Sequence, residues 1–181
     1  MLFALAHPQR LARLILTTPM GYHPDAGAVP GYAEPDPKAV REANLAVLRE
    51  PTYDNVKMRL ERIVFDPSVI EEESIRVRQR FYNDPAVNAV QRELMTRYLG
   101  GAAPKRHAVT DAMARRIAAP TLVYWGEKNF VPPAVGQHLA RQIPNATFFC
   151  APATGHWAQF ENFELHNREA LRFLGSKERP L

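Results

Sequence analysis

Cysteine is all but missing: Cys150 is the one thiol in 181 residues. A lone thiol excludes an intramolecular disulfide and a cysteine-based zinc cluster, and it fits a reducing, cytoplasmic setting. Long apolar runs are missing too, none approaching the roughly 18 residues that a bilayer span requires. The opening MLFALAHPQR has neither a basic start nor a small-residue cleavage site, so no secretory leader is expected. Basic residues outnumber acidic ones by 23 to 19, for a formal charge of +4, but they are scattered along the chain. Because counterion release needs clustered cations, a nucleic-acid arm is not predicted, and no membrane contact is expected either.

What is present is enough apolar residue, 46%, for one core. Three short β-branched or aromatic runs, Leu14 to Thr18, Thr121 to Trp125 and Thr147 to Cys150, read as parallel strands covered on both faces. Between the first two, periodic stripes such as Val56, Leu60, Ile63 and Val64, or Val87, Val90, Leu94 and Tyr98, predict helices over most of 38 to 99. A loop rich in proline and glycine precedes them, and GGAAPK at 100 to 105 ends them. The closing third alternates strand and helix, with a helix from about Pro133 to Gln142 and a last one turning Phe163, Ala170, Leu171 and Leu174 inward. Such alternation predicts an α/β fold: a parallel sheet of about three strands with right-handed crossovers, interrupted by a helical insertion. The expected division is 1–34 for a core strand with flanking helix and loop, 35–115 for a helical cap, and 116–181 for the C-terminal core.

The densest chemical signal is Gly155-His156-Trp157, after the third strand. Loops at the carboxyl ends of parallel strands are where ligands and catalytic groups gather in open α/β sheets. A loop histidine bonded to its own backbone is the alternative reading. The second strand runs into Trp125-Gly126-Glu127-Lys128-Asn129-Phe130, where a short polar side chain can reach His156 and set its tautomer. Asn129 is the natural occupant and Glu127 the lesser one, against the plain reading of a polar turn.

In the insertion, Ile70, Ser74, Val77 and Phe81 form a helical stripe that Arg78 shares. An arginine facing an apolar interior needs an anionic partner, unless it snorkels to solvent or pairs with Glu71 or Glu73. Phe160, Phe163 and Phe173 read as core, and Cys150 as an inert core thiol. The Glu71–Glu73 run and the Arg115-Arg116 pair read as solvated helix faces. The histidines at 7, 23, 107, 138 and 166 lack metal-ligand spacing, so no metal or cofactor is expected.

The segments HPQRLARLILTTP, PTLVYWGEKNFVPP and GHWAQFENFELHNREALRFL resemble α/β-hydrolases, and more narrowly the meta-cleavage-product hydrolases that break carbon–carbon bonds in aromatic catabolism. The resemblance implies a serine nucleophile on a G-x-S-x-G elbow, His156 as general base, and Asn129 where the family usually has an aspartate. It also implies Arg78 as the residue that holds a substrate carboxylate, Trp157 as a wall of the pocket, and the insertion as a lid. The serines stand at 68, 74 and 176, and none lies in a glycine elbow. The family's elbow falls upstream of Met1, so the sequence is expected to be the C-terminal part of such an enzyme, inactive alone. The implied reaction is hydrolysis of the C–C bond of a 2-hydroxy-6-oxo-dienoate, a small substrate bearing a carboxylate. An esterase or enol-lactonase of the same fold, or a non-catalytic remnant or docking subunit, are the alternatives, and a homo-oligomer is left open.

Overall fold

The computed structural model describes residues 1–98 and 107–175. In chain order it contains α1 (Leu2–Ala6), β1 (Leu14–Thr17), α2 (Pro37–Arg49), α3 (Tyr53–Glu61), α4 (Glu72–Asn83) and α5 (Pro85–Tyr98). There follow α6 (Asp111–Ala114), β2 (Thr121–Gly126), α7 (Pro133–Gln142), β3 (Ala146–Ala151), α8 (Ala158–Glu161) and α9 (Phe163–Gly175). Two compact units result, Met1–Tyr32 with Ala108–Leu181, and Ala33–His107. Residues 108–115, which the sequence pattern groups with the insertion, thus lie with the sheet. GGAAPK and Ser176 fall outside the described residues.

The sheet unit holds three parallel strands in the order β1-β2-β3, with Leu14 opposite Thr121 and Thr121 opposite Ala146. All six residues of the central β2 are buried, as a strand covered on both faces must be. Its alternation sorts the core into two layers. Val123 and Trp125 pack with Leu16, Val135, Leu139 and Ile143 on the α7 side. Leu122 and Tyr124 face Ala158 and Phe173 on the other. Gly136 lets α7 close down on Trp125, for a Cβ there would stand 2.5 Å from the indole ring.

Beyond β1 the outgoing chain pairs with the returning one. Tyr22 bridges Val109 in parallel, with His23 N–H donating to Val109 O at 3.0 Å and Val109 N–H to Gly21 O at 2.8 Å. Asp111, 2% exposed, is the hub of this junction. Its Oδ1 accepts from the Tyr22 hydroxyl at 2.5 Å, while Oδ2 pairs with His138 Nε2 at 2.8 Å. Burial pushes the Asp111 carboxyl up, but the hydrogen bonds from Tyr22 and His138 outweigh it and hold the group below the usual range.

The helical unit is built from α2 to α5, with Leu45, Leu48, Val56, Leu60, Ile75 and Tyr82 buried. Asp36 caps α2 through Lys38 N–H at 2.9 Å, and Thr52 caps α3 through Asn55 N–H at 3.2 Å. Two stripes differ from the sequence pattern. In α4 the buried positions are Ile75 and Tyr82, whereas Phe81 is 54% exposed. In α5, Val90 and Leu94 are exposed, at 57% and 38%. The last helix of the sheet unit departs likewise: α9 buries Glu169 and Phe173 and leaves Phe163, Leu171 and Leu174 outside. Glu169 tolerates that position because Arg172 meets it at 2.8 Å.

Candidate active site

The carboxyl ends of all three strands feed the site. β2 and β3 end level with each other, Gly126 opposite Ala151, and the two following loops close onto one another. Glu127 N–H donates to Ala151 O at 2.9 Å and Lys128 N–H to Thr154 O at 2.8 Å. The closeness is possible because Gly126 lacks a side chain: a Cβ there would lie 2.0 Å from Gly155 O and 2.4 Å from Thr154 O. Both are backbone atoms, so nothing yields cheaply. Glycine at this position therefore sets the spacing between the Asn129 loop and the His156 loop.

The His156 loop is pinned from three sides. Gly155 N–H donates to the Glu161 carboxylate at 2.6 Å, which ties the turn to α8. Asn162 Nδ2 donates to Thr154 Oγ1 at 3.2 Å, and Thr154 Oγ1 in turn donates to Pro152 O at 2.8 Å. From the end of β1, Thr18 Oγ1 donates to the carbonyl of His156 itself at 2.9 Å. Thr18 has φ +39°, a left-handed conformation that a β-branched residue adopts only under constraint. Its neighbours supply that constraint: its N–H donates to Tyr124 O at 2.9 Å while its hydroxyl holds the histidine backbone.

The imidazole is set by Asn129. His156 Nδ1 lies 3.2 Å from Asn129 Oδ1, and Val131 N–H reaches the same oxygen at 3.3 Å. The backbone N–H can only donate, so the atom facing both groups is the amide oxygen rather than the nitrogen. Nδ1 must then carry the proton, which leaves the lone pair on Nε2. That nitrogen has no hydrogen-bond partner among the described residues. Burial of the half-exposed ring holds His156 below the usual histidine range, so it is neutral at pH 7. Phe130 covers one face of the ring at 4.5 Å between centroids.

An imidazole so held is a base with its acceptor nitrogen available. Asn129 orients it but carries no charge to stabilise imidazolium. The amide is also imperfectly housed, because its buried Nδ2 has no hydrogen-bond partner among the described residues. The lesser candidate, Glu127, is engaged elsewhere, accepting from Ala153 N–H at 3.0 Å. Trp157, half-buried, stacks on Phe160 at 4.4 Å. Arg78 belongs to the helical unit, half-buried between Ile75 and Tyr82 on α4, with its guanidinium 5.9 Å from the Tyr82 ring. It has no carboxylate partner among the described residues, and Glu71 and Glu73 do not pair with it. Among the described residues, no group of three histidine, cysteine or acidic side chains is arranged to hold a metal ion.

Sequence reasoning passed over Gly126, Thr18 and Phe130. The first was detectable only as the glycine that closes a strand, and the other two carry no sequence signal. Nothing in the sequence around Glu161 signals that it fixes Gly155.

No family model matches the chain. The chain is 34% identical over 177 residues to the 2-hydroxy-6-oxononadienedioate/2-hydroxy-6-oxononatrienedioate hydrolase of Cupriavidus pinatubonensis, covering 96% of this chain and 57% of that protein. It is 30% identical over 178 residues to the 2-hydroxy-6-oxo-6-phenylhexa-2,4-dienoate hydrolase of Burkholderia cepacia, covering 96% and 58%. The solved structure of a 2-hydroxy-6-oxo-6-phenylhexa-2,4-dienoate hydrolase from Rhodococcus sp. strain RHA1 superposes with a TM-score of 0.79 at 21% identity, over 97% of this chain and 59% of that one. The chain thus spans a little over half the length of the relatives it matches, along their C-terminal portion. The chain therefore has the α/β-hydrolase fold and is similar, over nearly its whole length, to the C-terminal portion of the meta-cleavage-product hydrolases.

Proposed function

We propose that the chain provides the acid–base half of a serine-dependent hydrolase that cleaves the C–C bond of a 2-hydroxy-6-oxo-dienoate. The observation that carries this reading is the placement of His156, its Nδ1 facing Asn129 Oδ1 at 3.2 Å and its Nε2 left to accept a proton. Similarity to hydrolases named for dienoate substrates supplies the substrate class.

In the proposed reaction Nε2 of His156 relays the proton that converts the dienol to its keto form. It then takes the proton of a serine hydroxyl, which adds to the C6 carbonyl directly or activates a water that does so. The C5–C6 bond breaks with its electron pair passing through C5 into the conjugated C4=C3–C2=O system, and the proton returned by His156 to the C2 oxygen completes the hydroxypentadienoate. If the serine itself adds, water releases the acyl group as a carboxylic acid; if water adds, the acid forms directly. Arg78 holds the C1 carboxylate through its guanidinium fork, and Trp157 lines the pocket.

The test is a chimera in which the N-terminal part of the Cupriavidus relative, where this reading places the serine elbow, is joined to this chain. Loss of dienoate absorbance should accompany product formation, and His156→Ala should lower kcat by ~10² to 10⁴. A folded chimera that hydrolyses neutral esters but leaves the dienoate intact would replace this reading with an esterase.

A further inference from the structure

The helical unit brings positive charge together where no carboxylate among the described residues neutralises it. Tyr82 is buried, 2% exposed, on the inner face of α4, and two arginines from different helices lean on its ring. Arg59 of α3 has its guanidinium carbon 5.4 Å from the ring centroid, and Arg78 of α4 lies at 5.9 Å. Arg59 is anchored at both ends of its fork. Its Nε donates to Asn44 Oδ1 at 2.9 Å and Nη1 donates to the Tyr82 hydroxyl.

Neither arginine meets a carboxylate among the described residues, in contrast to their neighbours on the same helices. Lys57 pairs with Glu61 at 3.8 Å and Arg76 with Glu72 at 2.5 Å. The charges that act on Arg59 are instead alike: burial, then Arg78 and Arg62, hold its guanidinium below its ordinary value. Half-buried like charges set against one ring without an anion are unfavourable, so a fold keeps them at a cost unless an anion arrives.

We propose that Arg59 and Arg78, set around Tyr82, form a two-arginine cradle for a carboxylate, with Arg59 as a specificity-determining residue beside Arg78. The inference deepens the reading of Arg78 given above and rests on it. Arg59 Nη2 and the unpaired fork of Arg78 supply the donors. Asn44 and the tyrosine hydroxyl preorganise Arg59, so little side-chain freedom is lost when the anion binds. A site of this kind prefers an anionic dienoate to its neutral ester and weakens as salt is added.

The probe is sorbate, a hexa-2,4-dienoate, with methyl sorbate as the uncharged control, titrated into the 181-residue chain by calorimetry and by the arginine Nε–H resonances. Sorbate should bind and methyl sorbate should not. Arg59→Gln and Arg78→Gln should each weaken sorbate by about tenfold, the lower end for losing one charge-assisted hydrogen bond. Arg59→Lys, which keeps the charge but not the fork, should fall between wild type and Arg59→Gln. It decides the matter if Arg59→Gln fails to fold. Weakening by Arg78→Gln with Arg59→Gln and Arg59→Lys unchanged overturns the cradle and leaves the Arg78 reading standing. Unchanged affinity in both glutamine variants, or equal binding of sorbate and its ester, overturns both, and absence of sorbate binding overturns the cradle.

Discussion

Replacing Asn129 with aspartate should turn the oriented imidazole into a charged pair. The substitution is nearly isosteric and retains the oxygen that accepts from Val131 N–H at 3.3 Å and from His156 Nδ1 at 3.2 Å. A unit charge about 4 Å from the imidazolium is worth roughly 1 kcal/mol in water and roughly 4 kcal/mol at the effective dielectric near a protein surface. His156 is half-buried and Asn129 is 8% exposed, which places the pair between those limits, less the cost of desolvating the new carboxylate. The expected gain in proton affinity is about 10- to 100-fold, or roughly 1.4–2.7 kcal/mol. The assay is NMR titration of the His156 ring protons in the full chain, with and without the substitution. In wild type the midpoint should lie below the ordinary value of about 6.5, the direction set by burial, and in Asn129→Asp it should rise above it. A midpoint that stays put or moves to the acid side would refute the claim that residue 129 faces Nδ1 and governs the base. In the chimera proposed above the same change should extend the alkaline reach of the imidazolium and raise kcat.

Gly126→Ala should force apart the two loops that Gly126 brings together, destabilising the fold by roughly 1–3 kcal/mol in denaturant melts and removing the Nδ1–H signal of the Asn129 contact. Asp111→Ala should cost about 2–5 kcal/mol, since Tyr22 and His138 would both lose a buried partner. Because the folded Asp111 pKa is depressed, its contribution is complete above the unfolded value of about 3.9 and is lost as pH falls through the folded value. Urea melts below pH 4 should therefore show a steeper acid decline for wild type than for Asp111→Ala. Thr18→Gly should relieve the left-handed strain but remove the hydroxyl that holds His156 O, so thermal stability should change little while the His156 resonances broaden.

Much of the sheet was legible because strands buried on both faces are continuous in apolar character. The three runs match β1, β2 and β3 to within a residue or so at each end, and the helix from Pro133 to Gln142 matches α7. The approach of Asn129 to His156 was legible as well, since both leave the carboxyl ends of neighbouring parallel strands. The inward faces of α4, α5 and α9 were not. Apolar residues at 81, 90, 94, 163, 171 and 174 invite a stripe, yet the helices turn other faces to their neighbours, and α9 buries Glu169 instead. A helix's own period sets which residues share a face, but its neighbours decide which face is covered.

What the sequence determined by itself was local and periodic: the order of strands and helices, the residues at the strand ends, and a histidine and an amide at places where they can meet. Only the tertiary structure decided which polar groups are buried and by whom they are satisfied. Asp111 finds Tyr22 across 89 residues and His138 across 27, Arg59 shares a tyrosine with Arg78 from another helix, and Gly126 is needed only because Gly155 arrives against it. The physical reason is that a buried charge or a missing Cβ is paid for by atoms distant in the chain, and no local pattern records where those atoms will come to rest.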